Sequence, residues 1–527
     1  MGDGMSLAKT LMIQGTASTV GKSTLVTGLC RIFAQEGYRV APFKAQNMSL
    51  NAAVTSSGGE IGRAQATQAE AAGIEPTVEM NPILLKPQGP SRSQVIVMGR
   101  PLAAMEAQEY YQRRTGFVEY IQQALTTLRQ AYDLVIIEGA GSPVELNLAH
   151  YDLVNMRVAQ LADAPVLLVG DIDQGGIFAA MLGTLMLLQP EERARVKGLI
   201  VNKFRGDLAL WHDGERLLAE RSGIPVLGTV PHIEQLRIAE EDSVALDTGV
   251  ATVLQGQQRK AGAQLDIVLL RFPYMSNYDE FDALAADPQV RLHVVARAQD
   301  FPAHPDLIIL PGTKNTLHDL AWLWRAGLAQ QIRQYKGEGS AILGICGGYQ
   351  MLSEQLHDPA GVEAEAGTID TGLGLLPLTT VFQLVHEKVT QRCQAWITPA
   401  ARRGLFAHLT EQAMHVYQIH VGRTTVDATS SIGKDVHGTW GALRVDTTQE
   451  LEGYLSADGW CAGCYLHGLF ENNHIRHGII QALRKRQSPE LAHAAEQLHF
   501  SRQHEYDRLA ATLRQHLDLH AIQALLQ

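Results

Sequence analysis

Cysteine is scarce in this 527-residue chain: there are five, at positions 30, 346, 393, 461 and 464. They are too few and too scattered for a disulfide framework, so a reducing, cytoplasmic compartment is the simpler expectation. Charged residues are also thin on the ground, at 19%, while 46% of residues are hydrophobic. That balance excludes an intrinsically disordered chain and leaves apolar mass for more than one core. A basic excess is missing too. Lys and Arg total 44 against 55 Asp and Glu, a net charge of −11, which argues against a nucleic-acid-coating protein and against adhesion to anionic membranes. No run approaches the ~18 uninterrupted apolar residues of a membrane span. The first residues, Asp3 among them, fit no secretory or transit signal. Neither a nucleic-acid partner nor a membrane is expected, and a homo-oligomer is left open.

Aromatic residues make up only 6%, whereas glycine reaches 48 residues. Abundant glycine in a globular chain signals tight strand–helix turns, as in α/β folds. Short apolar runs at 11–14, 134–137, 165–170, 198–201, 266–270, 306–310 and 341–345 each meet a Gly, Pro, Asp or Asn within three residues of their end. Runs that are apolar throughout, rather than alternating, predict strands buried on both faces of a parallel sheet. The expectation is α/β, with two doubly wound parallel-sheet domains and ligands at the carboxyl ends of the strands. Residues 246–262 lack apolar periodicity and have a linker's composition. They divide the chain into domains 1–245 and 263–527. Tyr506, Leu509, Ala510, Leu513 and Leu517 fall at helical spacing and predict a docked amphipathic helix at the end of the second domain.

The first half carries a phosphate loop. Gly15, Thr19, Gly21, Lys22, Ser23 and Thr24 lie between an apolar strand and a helical pattern. Backbone N–H groups there wrap phosphate oxygens, Lys22 neutralises them, and the Ser23 hydroxyl ligates Mg²⁺. Five residues separate the glycines where the usual pattern has four. Glu138, at the end of another buried run, is the carboxylate expected near the metal, directly or through water. Lys44 also follows a strand and is read as holding a phosphoryl group or substrate carboxylate, or as solvated. Asn202 either reads adenine through paired hydrogen bonds or simply forms a turn. Arg63 is a candidate grip for an acidic substrate or a solvated cation; Asp171 and Asp173 are weaker candidates for metal or substrate.

The second half carries Gly344-Ile-Cys346-Gly-Gly348 between an apolar strand and a helix start. This is a nucleophile elbow with cysteine at its tip, and Gly347 is placed to offer an oxyanion N–H. A thiol nucleophile needs a histidine as proton carrier. His467, ahead of Gly468, is the candidate, and spacing alone does not separate it from His420. The Pro311-Gly312 turn offers a second oxyanion N–H. Cys461 and Cys464 have CxxC spacing but no second ligand pair, which favours a structural role.

Together GTASTVGKST, FKAQNMSLN, GEIGRAQ, MNPILLKPQG, EGAGSPVELNL, DIDQGGIFA, NKFRGD, PGTKNT, GICGGYQML, YQIHVG and YLHGLFEN resemble the cobyric acid synthase family across nearly the whole chain. The resemblance implies a dethiobiotin-synthetase-like, P-loop NTPase-like N-terminal domain and a class I glutamine amidotransferase domain. It implies Cys346 as glutaminase nucleophile with His467 as partner, and ATP with Mg²⁺ at the long-spaced loop. Its substrates would be a corrinoid and L-glutamine, the product being amidated side chains in cobalamin biosynthesis. Other triad glutaminases carry Glu two residues after the histidine; Leu469 stands there, as in this branch of the family, so the group orienting His467 is unidentified. Rival readings are an a,c-diamide synthase of the same architecture, a partitioning-type switch ATPase and a glutamine sensor. The switch leaves the cysteine domain unexplained.

Overall fold

The computed structural model describes residues 7–89, 91–238, 265–426, 438–446, 450–487 and 499–527. The chain divides into two compact units. Met1–Ser49, Gly59–Asp242 and Ser501–Gln527 form the first; Leu50–Gly58 and Ser243–Phe500 form the second. The expected linker, 246–262, lies outside the described residues.

In the first unit, six strands pair in parallel in the order Val226–Pro231, Val196–Phe204, Val166–Asp171, Lys9–Gly15, Leu134–Glu138, Val40–Phe43. The two inner strands that bear the chemistry are buried along almost their whole length, as continuous apolar runs require. Every candidate residue of this half follows a strand's carboxyl end or sits within it. Beside the sheet, Ile83–Pro87, Arg92–Val97 and Arg100–Glu106 form an antiparallel meander. The sequence reading contained no such element.

Two boundaries differ from expectation. The Arg502–His516 helix belongs to the first unit, not to the second. It buries Tyr506, Leu509, Ala510 and Leu513 in a core shared with Leu25, Leu29 and Phe33. Gly28 is what lets it dock: a Cβ there would stand 2.3 Å from Leu513 Cδ1. Tyr506 donates to Glu70 at 3.0 Å and Arg31 pairs with Asp507 at 2.8 Å. Conversely, residues 50–58 join the second unit, where Asn51 accepts from the Asn277 N–H at 2.7 Å and Asn277 from that of Ala52 at 3.0 Å. Helical periodicity shows which face is apolar, not which core receives it.

The second unit is built on a nine-stranded sheet. Val290–Val295, Leu265–Leu270, Leu307–Leu310, Ala341–Ile345 and Cys461–Cys464 are parallel, and the sheet continues through four antiparallel strands to Met414–His420. The nucleophile strand, Ala341–Ile345, lies well inside and is fully buried. No helix among the described residues is long and apolar enough to cross a membrane.

Candidate functional site

Two constellations form, one in each unit. In the first, the loop after Lys9–Gly15 turns into the Lys22–Gln35 helix through Gly21, whose φ of +95° only glycine adopts readily. Lys22 Nζ folds back on the loop, donating to the carbonyls of Ala17 and Ser18 at 2.9 Å and of Gly141 at 3.2 Å. These are contacts that a phosphate oxygen would replace. Ser23 Oγ donates to Glu138 Oε1 at 2.8 Å.

Lys44 is not solvated. Its Nζ lies 2.9 Å from Glu138 Oε1, with the two side chains 1% and 0% exposed. Gln68 donates to the other carboxylate oxygen at 2.5 Å. Glu138 therefore ties three elements together at the sheet's carboxyl edge, and Gln68 was not singled out in the sequence. As a metal site the donor set has the right chemistry: Mg²⁺ prefers oxygen. The Ser23 hydroxyl can give its proton to Glu138 and still offer a lone pair.

Asn202 serves as a brace. Its amide nitrogen donates to the Val20 carbonyl at 2.8 Å, a bond that engages one of the two N–H groups an asparagine amide carries. Lys203 donates to the Thr19 carbonyl at 2.6 Å and pairs with Asp171 at 3.1 Å. Asp173 pairs with Arg205 at 3.0 Å. The two aspartates thus face cations of their own unit. Arg63, 6% exposed, is buried rather than solvated.

In the second unit Cys346 sits between the Ala341–Ile345 strand and the Gly347–Met351 helix at φ +52°, ψ −111°. A non-glycine residue held there is strained, as elbows are. The close packing explains its glycine neighbour: a Cβ on Gly348 would lie 2.0 Å from the Leu310 carbonyl oxygen. The two glycines expected to offer oxyanion N–H groups are closely packed. A Cβ at Gly347 would lie 2.5 Å from Thr313 Cγ2, and one at Gly312 would lie 2.7 Å from His467 Cε1.

The partner that the sequence left unidentified is Glu280. His467 Nδ1 donates to Glu280 Oε1 at 2.9 Å and the Gly468 N–H to Oε2 at 3.0 Å. Both side chains of the pair are 1% exposed. Tyr417 stacks on the imidazole, 5.1 Å between ring centroids. Burial depresses the His467 pKa, yet the Glu280 carboxylate and the neighbouring Cys346 sulfur outweigh it, raising it from 6.5 to about 10. Burial pushes the Glu280 carboxyl up, against the opposing pull of His467. The shared proton rests on the imidazole. His420 is different in kind: burial lowers it to about 4, its Nδ1 bonds the Gly422 carbonyl at 2.9 Å, and it stacks on Tyr465. It is a neutral, partly buried histidine. Glu280 lies in a turn with Asp279 and Asp282, which in sequence reads as a solvated acidic run, so no local signal marked it.

Cys461 and Cys464 are buried in one strand, three residues apart and so on opposite faces. No cluster of three metal-ligating side chains occurs among the described residues.

Two family models match the chain. A CobQ/CobB/MinD/ParA nucleotide binding domain covers residues 11–245, and a CobB/CobQ-like glutamine amidotransferase domain covers 266–475. Among curated relatives, the cobyric acid synthase of Dehalococcoides mccartyi is 45% identical over 99% of both chains. That of Sorangium cellulosum is 46% identical over 97% of both. That of Chloroflexus aggregans is 49% identical over 90% of this chain and 92% of its own.

Proposed function

Because the chain belongs to the cobyric acid synthase family, we propose that it amidates the b, d, e and g carboxylates of adenosylcobyrinic acid a,c-diamide, giving adenosylcobyric acid. It is an ATP-dependent glutamine amidotransferase ligase. The observation that carries the reading is the pairing of Glu280 with His467 beside Cys346, in a chain whose other unit holds a phosphate loop.

At the second unit, Cys346 sulfur attacks the glutamine side-chain amide. The thioester forms as the carbon–nitrogen bond breaks, and His467 gives its proton to the departing ammonia. Water, deprotonated by His467, then releases glutamate and frees the thiol. Backbone N–H groups of Gly347 and Gly312 are the proposed oxyanion donors.

At the first unit, a carboxylate oxygen takes the terminal phosphoryl group of ATP, releasing ADP. Hydroxide is too poor a leaving group for direct amidation, and phosphate is a good one. Ammonia displaces it as inorganic phosphate. Lys22 and Lys44 are the cations proposed for the phosphoryl and carboxylate oxygens. Ser23, with Glu138, would hold Mg²⁺, whose charge stabilises that built up on the phosphates.

The test is to incubate the protein with ATP, glutamine and individual corrinoids and count the amides added by mass. Four additions to the a,c-diamide support the proposal. Two additions to cobyrinic acid, with none to its a,c-diamide, would establish the a,c-diamide synthase reading instead. Ammonia guided from one site to the other is a corollary: with labelled glutamine, unlabelled external ammonia should dilute the product label only slightly.

A further inference from the structure

The first unit contains a cavity of about 210 Å³ that the chemistry above does not use. It opens beside the phosphate-loop machinery. Ala140 and Ser142 in its wall flank Gly141, whose carbonyl accepts from Lys22 at 3.2 Å. The opposite wall comes from the meander and the short helix after it, and includes Val95, Met105, Tyr110 and Tyr111.

Arg114 is the anomaly. It lines this cavity at 8% exposure, its guanidinium resting 5.4 Å from the Tyr111 ring centroid and 6.0 Å from that of Tyr110. Its Nε has no hydrogen-bond partner, and among the described residues no carboxylate pairs with it. A buried guanidinium without an anion is costly, and the planar fork suits a carboxylate. The two acidic side chains in the same wall do not supply it. Asp152 accepts from the backbone N–H groups of Val154, Asn155 and Arg157, each at 2.9 Å, and Glu145 is exposed. At the rim, Met48 and Tyr151 are 53% and 46% exposed, an apolar ledge on which a flat ring can lie. The volume falls below the ~300–1,000 Å³ of pockets that swallow a whole drug-sized ligand. It takes an edge, not a macrocycle.

Building on the function proposed above, we propose that this cavity seats one edge of the corrinoid ring and that Arg114 grips a side-chain carboxylate other than the one being activated. The aromatic wall and the Met48–Tyr151 ledge hold the ring, while the reacting carboxylate faces Lys22 and Lys44. Arg114 makes the site prefer acids over amides.

The experiment measures corrinoid binding to the full chain by equilibrium dialysis, with two probes. One is cobyrinic acid a,c-diamide; the other is cobinamide, a corrinoid without free carboxylates. Arg114→Gln should weaken the acid by about 10–100-fold, the loss of a charge-assisted hydrogen-bonded contact. It should leave cobinamide and ATP binding unchanged, and Arg114→Lys should restore part of the difference. Tyr151→Ala should weaken both probes alike. Unchanged acid binding in Arg114→Gln overturns the proposal, as does equal loss of both probes with ATP binding intact. If the wild-type chain binds and amidates no corrinoid, the functional reading itself falls, and this seat with it.

Discussion

His467 and Glu280 stand 187 residues apart in sequence and 2.9 Å apart in space. The carboxylate reaches the imidazole from a turn after the Leu265–Leu270 strand, rather than from the segment that follows the histidine. The partner position two residues on, Leu469, is 3% exposed and packs in the core.

Glu280→Gln should keep the fold and lose most glutaminase turnover, by up to about 10⁴-fold, the loss seen when a carboxylate that orients a catalytic histidine is made neutral. Amide synthesis from external ammonia should persist. Loss of both activities in equal measure would show that Glu280 serves the fold rather than His467.

The pH profile should move with the same substitution. His467 holds its proton more tightly folded than unfolded, so its pairing stabilises fully below about pH 6.5 and is lost as pH rises through about 10. Glutamine hydrolysis should have its alkaline limb near that upper value. In Glu280→Gln the limb should shift toward neutrality, read from kcat/KM between pH 6 and 11. A limb that stays in place contradicts the assignment.

Thiol chemistry should single out one cysteine. Burial raises the Cys30 and Cys464 thiols well above their ordinary range and Cys393 to about 12, leaving them inert. Iodoacetamide should modify Cys346 first, as mapped by peptide mass, and glutamine should protect it. Fast labelling of Cys393 instead would contradict this.

The Lys44–Glu138 pair is buried, so removing one charge takes a close buried partner from the other. Lys44→Met should cost about 3–5 kcal/mol in urea unfolding and abolish carboxylate activation. Lys44→Met combined with Glu138→Gln should cost less than the sum of the two, because both changes remove the same contact. Strict additivity would mean the two groups do not interact.

A size exchange tests the C-terminal docking. Leu513→Ala should destabilise by about 2–5 kcal/mol and Gly28→Ala, which crowds Leu513, by about 1–3 kcal/mol. Joined, they should partly cancel in thermal unfolding, since the new methyl fills space vacated by the leucine.

What the sequence made legible followed from local chemistry. Continuous apolar runs marked seven of the parallel strands to within a few residues, and glycine spacing marked both the phosphate loop and the Cys346 elbow. What escaped was set by distance along the chain. Glu280 looks like any surface acid until residues 187 positions away fold over it. Asn202 and Lys203 show no sign of bracing the loop at Val20 and Thr19 until two strand ends meet. The meander of residues 83–106 alternates weakly and is interrupted by Pro87 and Pro101, which masks its period of two.

The return of residues 501–527 to the first unit has a consequence for synthesis. Lys9, on the first strand, donates to the Gln527 carbonyl at 2.8 Å, and the core around Leu25 and Leu29 is completed by Leu509 and Leu513. A ribosome releases those leucines only after the entire glutaminase sequence has been translated. The nucleotide-binding half therefore waits with an open apolar face while the later-made half already has all its strands. Assembly in order of emergence, the usual course for multidomain chains, is inverted here: the half begun first is finished last, and chaperones would meet it in that waiting state.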